Sequence, residues 1–469
     1  MNGQETPSIN RLSTAQKVFA GLIALLMLGS LGSLALEGVW IGLVLVVALV
    51  GAVLLLVGPI RWLPGIALSV FALVPLAYTP LVNPIIGRYL TPVVFILLIW
   101  FLRTIATSGR GASPKLWLAV GAALGCWALL TLLWSIDPQR TLLWTASVCV
   151  VAVLPVFLSG RGDTETAETL SKCWLWLGFI LGTMAIVEGI SQQSFLASLY
   201  QGTESGGIGV SQNWSSIRST TTLGHPLMNA TFFAASSAYA LMNTAQTRSR
   251  FALLSGATAA AGLVFTLSRS GVAALAVGLA IGTLAVLIAG KMTLVRKCIF
   301  VFVTAVAAVT VVSSPLVQAR SNSAEGASSA HLRGVLLQAG LRIAEQDNFV
   351  GSGAGTSNIR SALTGMTLPL ENSYAGVIVS SGLAGLFLLI VLFVGAILGA
   401  LRRRRFDAAA GMVAFCVQIA GYPLVDNVPV ALLIFGLLAY LGFHRLPITR
   451  PDIPKYRLEE FRAVARTAK

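Results

Sequence analysis

Residues 373–400 read SYAGVIVSSGLAGLFLLIVLFVGAILGA without a single charge, and Leu401 then leads into four consecutive arginines, Arg402 to Arg405. A helix rises about 1.5 Å per residue, so about 20 apolar residues cross a hydrocarbon core, and this stretch is long enough to do so. The arginines would stop at a membrane face. Working outward, similar runs recur near 18–36, 38–59, 65–82, 89–102, 116–134, 141–158, 173–191, 226–243, 251–267, 271–290, 298–313, 408–422 and 429–443. Pro75 and Pro80 interrupt one run and 408–422 is short, so the expectation is an all-α polytopic membrane helix bundle of 12–14 transmembrane helices. At 469 residues, 56% hydrophobic and only 10% charged, the chain is far from the roughly 25% charged residues of a soluble enzyme. Backbone polar groups in lipid must pair internally, and helices achieve this at such a composition.

The formal net charge of +15 would point to nucleic acid in a soluble protein. Its placement points elsewhere. With the N-terminus inside, 24 of the 32 basic residues fall on cytoplasmic connections, and eight remain outside: Arg88, Arg140, Arg218, Arg269, Arg320, Arg333, Arg342 and Arg360. That asymmetry is the cytoplasmic lysine and arginine excess of a multi-pass protein, so no nucleic-acid partner is expected. Both termini are expected inside, residues 1–469 form one transmembrane domain, and 444–469 is a cytoplasmic tail. Cys126, Cys149, Cys173, Cys298 and Cys416 lie in apolar runs without paired spacing, so neither a disulfide framework nor a metal site is expected. Phosphate-loop and zinc-protease motifs are absent, and no cofactor is implied.

Two outer connections are long, 192–225 and 314–372, and they hold five of the eight external arginines. Function is expected there. In the second, residues 331–346 carry Leu332, Val335, Leu336, Ala339 and Ile343 at helical spacing, which predicts an amphipathic helix on the membrane surface or the bundle, with Arg333 and Arg342 on other faces. Gly351, Gly353 and Gly355 follow, either a phosphate- or sugar-approaching turn or a flexible connector. Arg269 stands between two apolar runs with almost no loop, so it either pairs with an anion at the outer interface or snorkels at a span end. Arg218 precedes a helix on the same face, and two guanidinium groups suit a diphosphate without a metal. Glu371 enters the membrane edge either as a general base or as part of an acidic helix start capped by Asn372.

Over roughly 210–390 the chain resembles the O-antigen polymerase and O-antigen ligase family of bacterial envelope glycosyltransferases. The resemblance rests on Ile217-Arg218 to Asn229, on Ser268-Arg269-Ser270-Gly271, on the amphipathic helix leading to Gly353 and Gly355, and on Glu371-Asn372 followed, after nine intervening residues, by Gly382-x-x-Gly385. It implies a GT-C-like, metal-independent, inverting transferase in the bacterial cytoplasmic membrane with an outward-facing site. Its donor would be an undecaprenyl-diphosphate-linked glycan and its acceptor a glycan or lipid-linked glycan. Arg218 and Arg269 would hold the diphosphate and Glu371 would take the acceptor proton, with Arg333, Asn372, His331, Arg360 and His225 binding substrate. Ligases carry a histidine where this chain has Glu371, which favours polymerase over transfer to lipid A core. His225 and His331 are alternative bases. A rival class is a secondary transporter or lipid-linked oligosaccharide flippase, for which Glu188 in a span is the best feature; an envelope interaction protein is the third.

Overall fold

A computed structural model describes residues 55–74, 89–107, 115–161, 163–194, 218–289, 324–366 and 368–444, with Gly51, Leu196 and Gln318 besides. The spans expected at 18–36 and 298–313, most of 38–59, the second part of 65–82, most of 195–217 within the connection 192–225, most of 314–323 within the connection 314–372 and the tail beyond His444 lie outside these residues. Every regular element described is helical. The first half contains α1 (Leu63–Leu73), α2 (Pro92–Thr107), α3 (Lys115–Leu130), α4 (Pro138–Leu158) and α5 (Thr164–Ser191). The second half contains α6 (Pro226–Thr247), α7 (Arg250–Phe265), α8 (Arg269–Ala289), α9 (Ala324–Gln346) and α10 (Ser357–Leu363), then α11 (Ser373–Arg402), α12 (Phe406–Gln418), the short α13 (Leu424–Asn427) and α14 (Leu432–Phe443).

Five of these stretches are long and apolar enough to cross a membrane: Lys115–Leu133, Pro138–Leu158, Thr164–Ser191, Arg269–Ala289 and Ser373–Arg402. Five shorter apolar helices accompany them. α6 differs, because it is buried along nearly its whole length although it carries Asn229, Ser236, Ser237 and Asn243. It is the axis of the bundle, wrapped by α7, α8, α12 and α5. Close approach depends on small residues: a Cβ added at Gly182 of α5 would lie 2.7 Å from the Thr258 backbone of α7. Lipid offers no less apolar contact than a neighbouring helix, so such packing supplies much of the association energy.

Two helices depart from regular geometry. Pro155 of α4 has no amide to give the Val151 carbonyl, and the preceding turn, Cys149–Val153, widens to π-type. α11 breaks at Gly382, with φ +70° and ψ −176°. The freed groups find partners from other elements. The Val379 carbonyl accepts from the Ser352 amide at 3.0 Å, the Ser380 carbonyl from the Gly353 amide at 2.8 Å, and the Ser381 carbonyl from the Trp127 indole at 2.8 Å. The Leu383 amide donates to the Phe349 carbonyl at 3.0 Å.

The glycine-rich turn is therefore neither a ligand cradle nor a loose connector. Gly351, Gly353 and Gly355 all have positive φ and are buried. A Cβ on Gly353 would lie 2.2 Å from Ser135 Oγ, and one on Gly355 would lie 2.8 Å from the Trp144 side chain. The turn wedges between α11 and the α3–α4 corner, supplying hydrogen bonds that the broken helix lacks. Asp426 reinforces it, accepting from the Ser357 amide at 2.8 Å and the Ser380 hydroxyl at 2.9 Å.

Candidate functional site

One end of the bundle gathers 218–225, 266–268, α9 and 419–428, pieces of chain distant in sequence. Segment 218–225 turns into α6 through Pro226 in its first turn, with His225 as cap. The His225 Nδ1 accepts from the Leu227 amide at 3.1 Å, so the neutral ring carries its proton on Nε2. Burial, helped by the positive charge of Arg218, pushes the imidazole down from its ordinary value to about 4. His225 is thus a neutral Nε2–H donor at physiological pH, and the role of proton-taking base expected as an alternative does not suit it. Its ring stacks on Tyr422 with centroids 5.0 Å apart and planes 12° apart.

Tyr422 is the joint of the site. Its carbonyl accepts from the Ser373 hydroxyl at 2.6 Å, which ties the 419–428 segment to the start of α11. Burial and then the negative charge of Glu371 push its phenol above the ordinary range, so it remains protonated. Glu371 Oε2 accepts from Arg333 Nε at 2.7 Å, and the two side chains are 31% and 29% exposed. Arg333 therefore does not lie on a face away from the bundle, as its spacing predicted. α9 starts at Ala324, before the expected 331, and turns Leu336, Gly340, Ile343 and Ala344 inward, leaving Val335 47% exposed. That rotation carries Arg333 to Glu371.

The two other arginines reach the same end. Arg218 Nε donates to the Thr266 carbonyl at 2.9 Å, and Arg269 Nη2 donates to the Gly326 carbonyl at 2.8 Å. Leu267, at φ +53°, makes the tight turn that starts α8 at Arg269, while Ser268 Oγ accepts from the Gly271 amide at 3.2 Å. Gly326 and Arg333 sit on one helix, about two turns or roughly 10 Å apart along its axis. Gly421, next to Tyr422, packs on Ser270, next to Arg269; a Cβ on Gly421 would lie 2.8 Å from the Ser270 Cβ. Arg218, His225, Tyr422, Glu371, Arg333 and Arg269 thus lie at one end of the bundle and are linked through shared neighbours.

The remaining expected residues take other places. Asn372 caps α11, its Oδ1 accepting from Tyr374 and Ala375 amides at 2.9 and 3.1 Å, and it fixes the start of the helix directly after Glu371. His331 is exposed on α9. Arg360, in α10, makes two bonds to Asp347 at 2.6 and 2.8 Å, which raise its already high proton affinity and hold the turn after α9. Sequence reasoning missed Tyr422 altogether. The signal was Gly421-Tyr422-Pro423, which breaks an apolar run where a smooth span would have none. Among the described residues no group of acidic, histidine and cysteine side chains suits a metal ion.

No protein-family model matches the chain, and no curated protein matches it.

Proposed function

We propose that the protein is a membrane glycosyltransferase that moves a glycan from undecaprenyl diphosphate to an acceptor sugar hydroxyl at the outer face of the bacterial cytoplasmic membrane, and that it acts as a polysaccharide polymerase of the O-antigen or exopolysaccharide type. One observation carries this reading: three arginines, a neutral histidine and a partly exposed carboxylate are linked through shared neighbours at one end of an apolar helix bundle. Guanidinium groups match a diphosphate geometrically, and a carboxylate with water access matches a hydroxyl proton.

In the reaction, the acceptor oxygen attacks the anomeric carbon from the side opposite the diphosphate. The new carbon–oxygen bond forms as the bond to the diphosphate breaks, with inversion, and the electron pair leaves on the diphosphate. Arg218 and Arg269 stabilise that growing charge, and His225 contributes a neutral Nε2–H donor. Glu371 receives the acceptor proton. Arg333 binds one oxygen of Glu371 and orients the carboxylate, while Asn372, the cap of α11, fixes the backbone next to it. The diphosphate bond supplies the driving force, so no nucleotide is consumed.

Purified protein incubated with undecaprenyl-diphosphate glycan is expected to give longer lipid-linked chains. Product formed only when lipid A core is supplied would instead make it a ligase. Absence of product with either acceptor, from protein that is folded and monodisperse, would remove the transferase reading. The transport reading leaned on Glu188, but that carboxylate is bonded to the segment carrying Arg218, which favours a role in the site.

A further inference from the structure

Glu188 lies near the end of α5 with no exposed surface. Its Oε2 accepts three hydrogen bonds: from the Ser219 hydroxyl at 2.8 Å, the Thr220 amide at 3.0 Å and the Thr221 amide at 3.0 Å. Its Oε1 is buried and meets no partner among the described residues, so every bond this carboxylate makes there goes to 219–221. Thr221 has φ +40°, and successive amides in such a turn form a concavity that holds an anion. Here the anion is the protein's own.

A second clamp meets the first. Asn229 Oδ1 accepts from the Thr221 hydroxyl at 2.6 Å, and its Nδ2 donates to the Ser219 carbonyl at 3.2 Å. The Ser219 amide donates to the Phe265 carbonyl at 3.0 Å, which links the segment to the turn carrying Arg269. Burying a carboxylate is costly, and the cost is tolerated where several donors converge on it.

We infer that Glu188 is a positioning residue: through the amides of Thr220 and Thr221 it fixes the segment from which Arg218 reaches the diphosphate. This rests on the proposed role of Arg218. Replacing Glu188 by Ala leaves two buried amides and a hydroxyl without an acceptor, so the segment must shift and carry Arg218 with it. Arg269 has an anchor of its own at the Gly326 carbonyl on α9, besides the link from Ser219 to the Phe265 carbonyl, so that change displaces it less than Arg218.

The test measures the Kd of full-length, detergent-purified protein for undecaprenyl diphosphate. Arg218→Ala and Glu188→Ala are each expected to weaken binding by about ten- to a hundredfold. The pair together is expected to be no weaker than Arg218→Ala alone, whereas Glu188→Ala with Arg269→Ala multiplies the two losses. A general loosening of the fold would not distinguish the two arginines. If Glu188→Ala does not yield folded protein, Glu188→Gln carries the test, with a loss of about threefold that disappears in the Arg218→Ala background. Arg218→Ala binding like wild type would overturn the diphosphate role of Arg218 itself. Normal binding by a folded Glu188→Ala, or equal coupling to both arginines, would overturn the positioning role alone.

Discussion

Two arginine–carboxylate pairs stand at opposite ends of this molecule and behave as different chemical objects. Arg405 and Asp407 are 2% and 0% exposed and make two bonds of 3.0 and 3.1 Å. Asn243 donates to Asp407 at 2.9 Å, the Ala408 amide to the same carboxylate at 2.8 Å, and Arg405 to the His444 carbonyl at 3.2 Å. Burial opposes the Arg405 charge, but Asp407 and then Tyr239 outweigh it and hold its proton more tightly than usual. Arg333 and Glu371, by contrast, share a single 2.7 Å bond and keep nearly a third of their surface. The first pair is saturated and can only hold α6, α12 and α14 together. The second has bonding capacity left for a substrate.

That contrast sets the largest expected effect. Glu371→Ala is expected to lower the rate of chain extension by about 10²–10⁴-fold while changing stability by less than about 1 kcal/mol, read from product formation and thermal unfolding of the same preparation. Glu371→His tests whether the base expected in ligases works in this setting. If Glu371→Ala retains the wild-type rate, the exposed pair is only a surface ion pair and the comparison collapses.

The buried pair is expected to give the opposite result. Asp407→Asn leaves Arg405 charged without its counter-charge and should cost about 3–5 kcal/mol of stability, seen as a lower unfolding temperature and poor recovery from membranes. Between the two ends, Gly382→Ala probes the break in α11. Its added Cβ would meet the Phe349 and Val350 carbonyls at 2.4 Å in a left-handed conformation, for a loss of about 2–3 kcal/mol read from thermal unfolding.

The smallest effect concerns His225. Its folded pKa of about 4 lies below the unfolded value of 6.5, so its contribution to stability is complete above pH 6.5 and is lost as pH falls towards 4. Between pH 7 and 5.5 the wild type should lose about 1 kcal/mol more than His225→Gln, measured from paired unfolding curves. Parallel curves would mean that the ring titrates normally.

Helix positions were readable because a membrane-length apolar run has few other solutions. The run at 373–400 became α11 at Ser373–Arg402, and 173–191 became part of α5, extended to Thr164 where Asp163 caps it with a 2.7 Å bond to the Thr166 amide. The facing of a surface helix was less readable. Leu332, Val335, Leu336, Ala339 and Ile343 fit one stripe, but α9 packs through Gly340 and Ala344 as well, and small residues carry little weight in a hydrophobic pattern. The rotation this produces is what brings Arg333 to Glu371. Arg218, Arg269 and Glu371 could be singled out as charges where charge is expensive, but no spacing announces Tyr422, which joins their neighbourhoods.

Composition and the placement of arginines were enough to define an apolar helical bundle and to mark its exceptional charges, because solvent preference is a property each residue carries locally. Which of those charges are closed off and which remain open depended on contacts between segments up to about two hundred residues apart, such as Arg218 beside His225 stacked on Tyr422. Burial and hydrogen-bond saturation are properties of an environment assembled from many segments, so they arise only when the chain is packed.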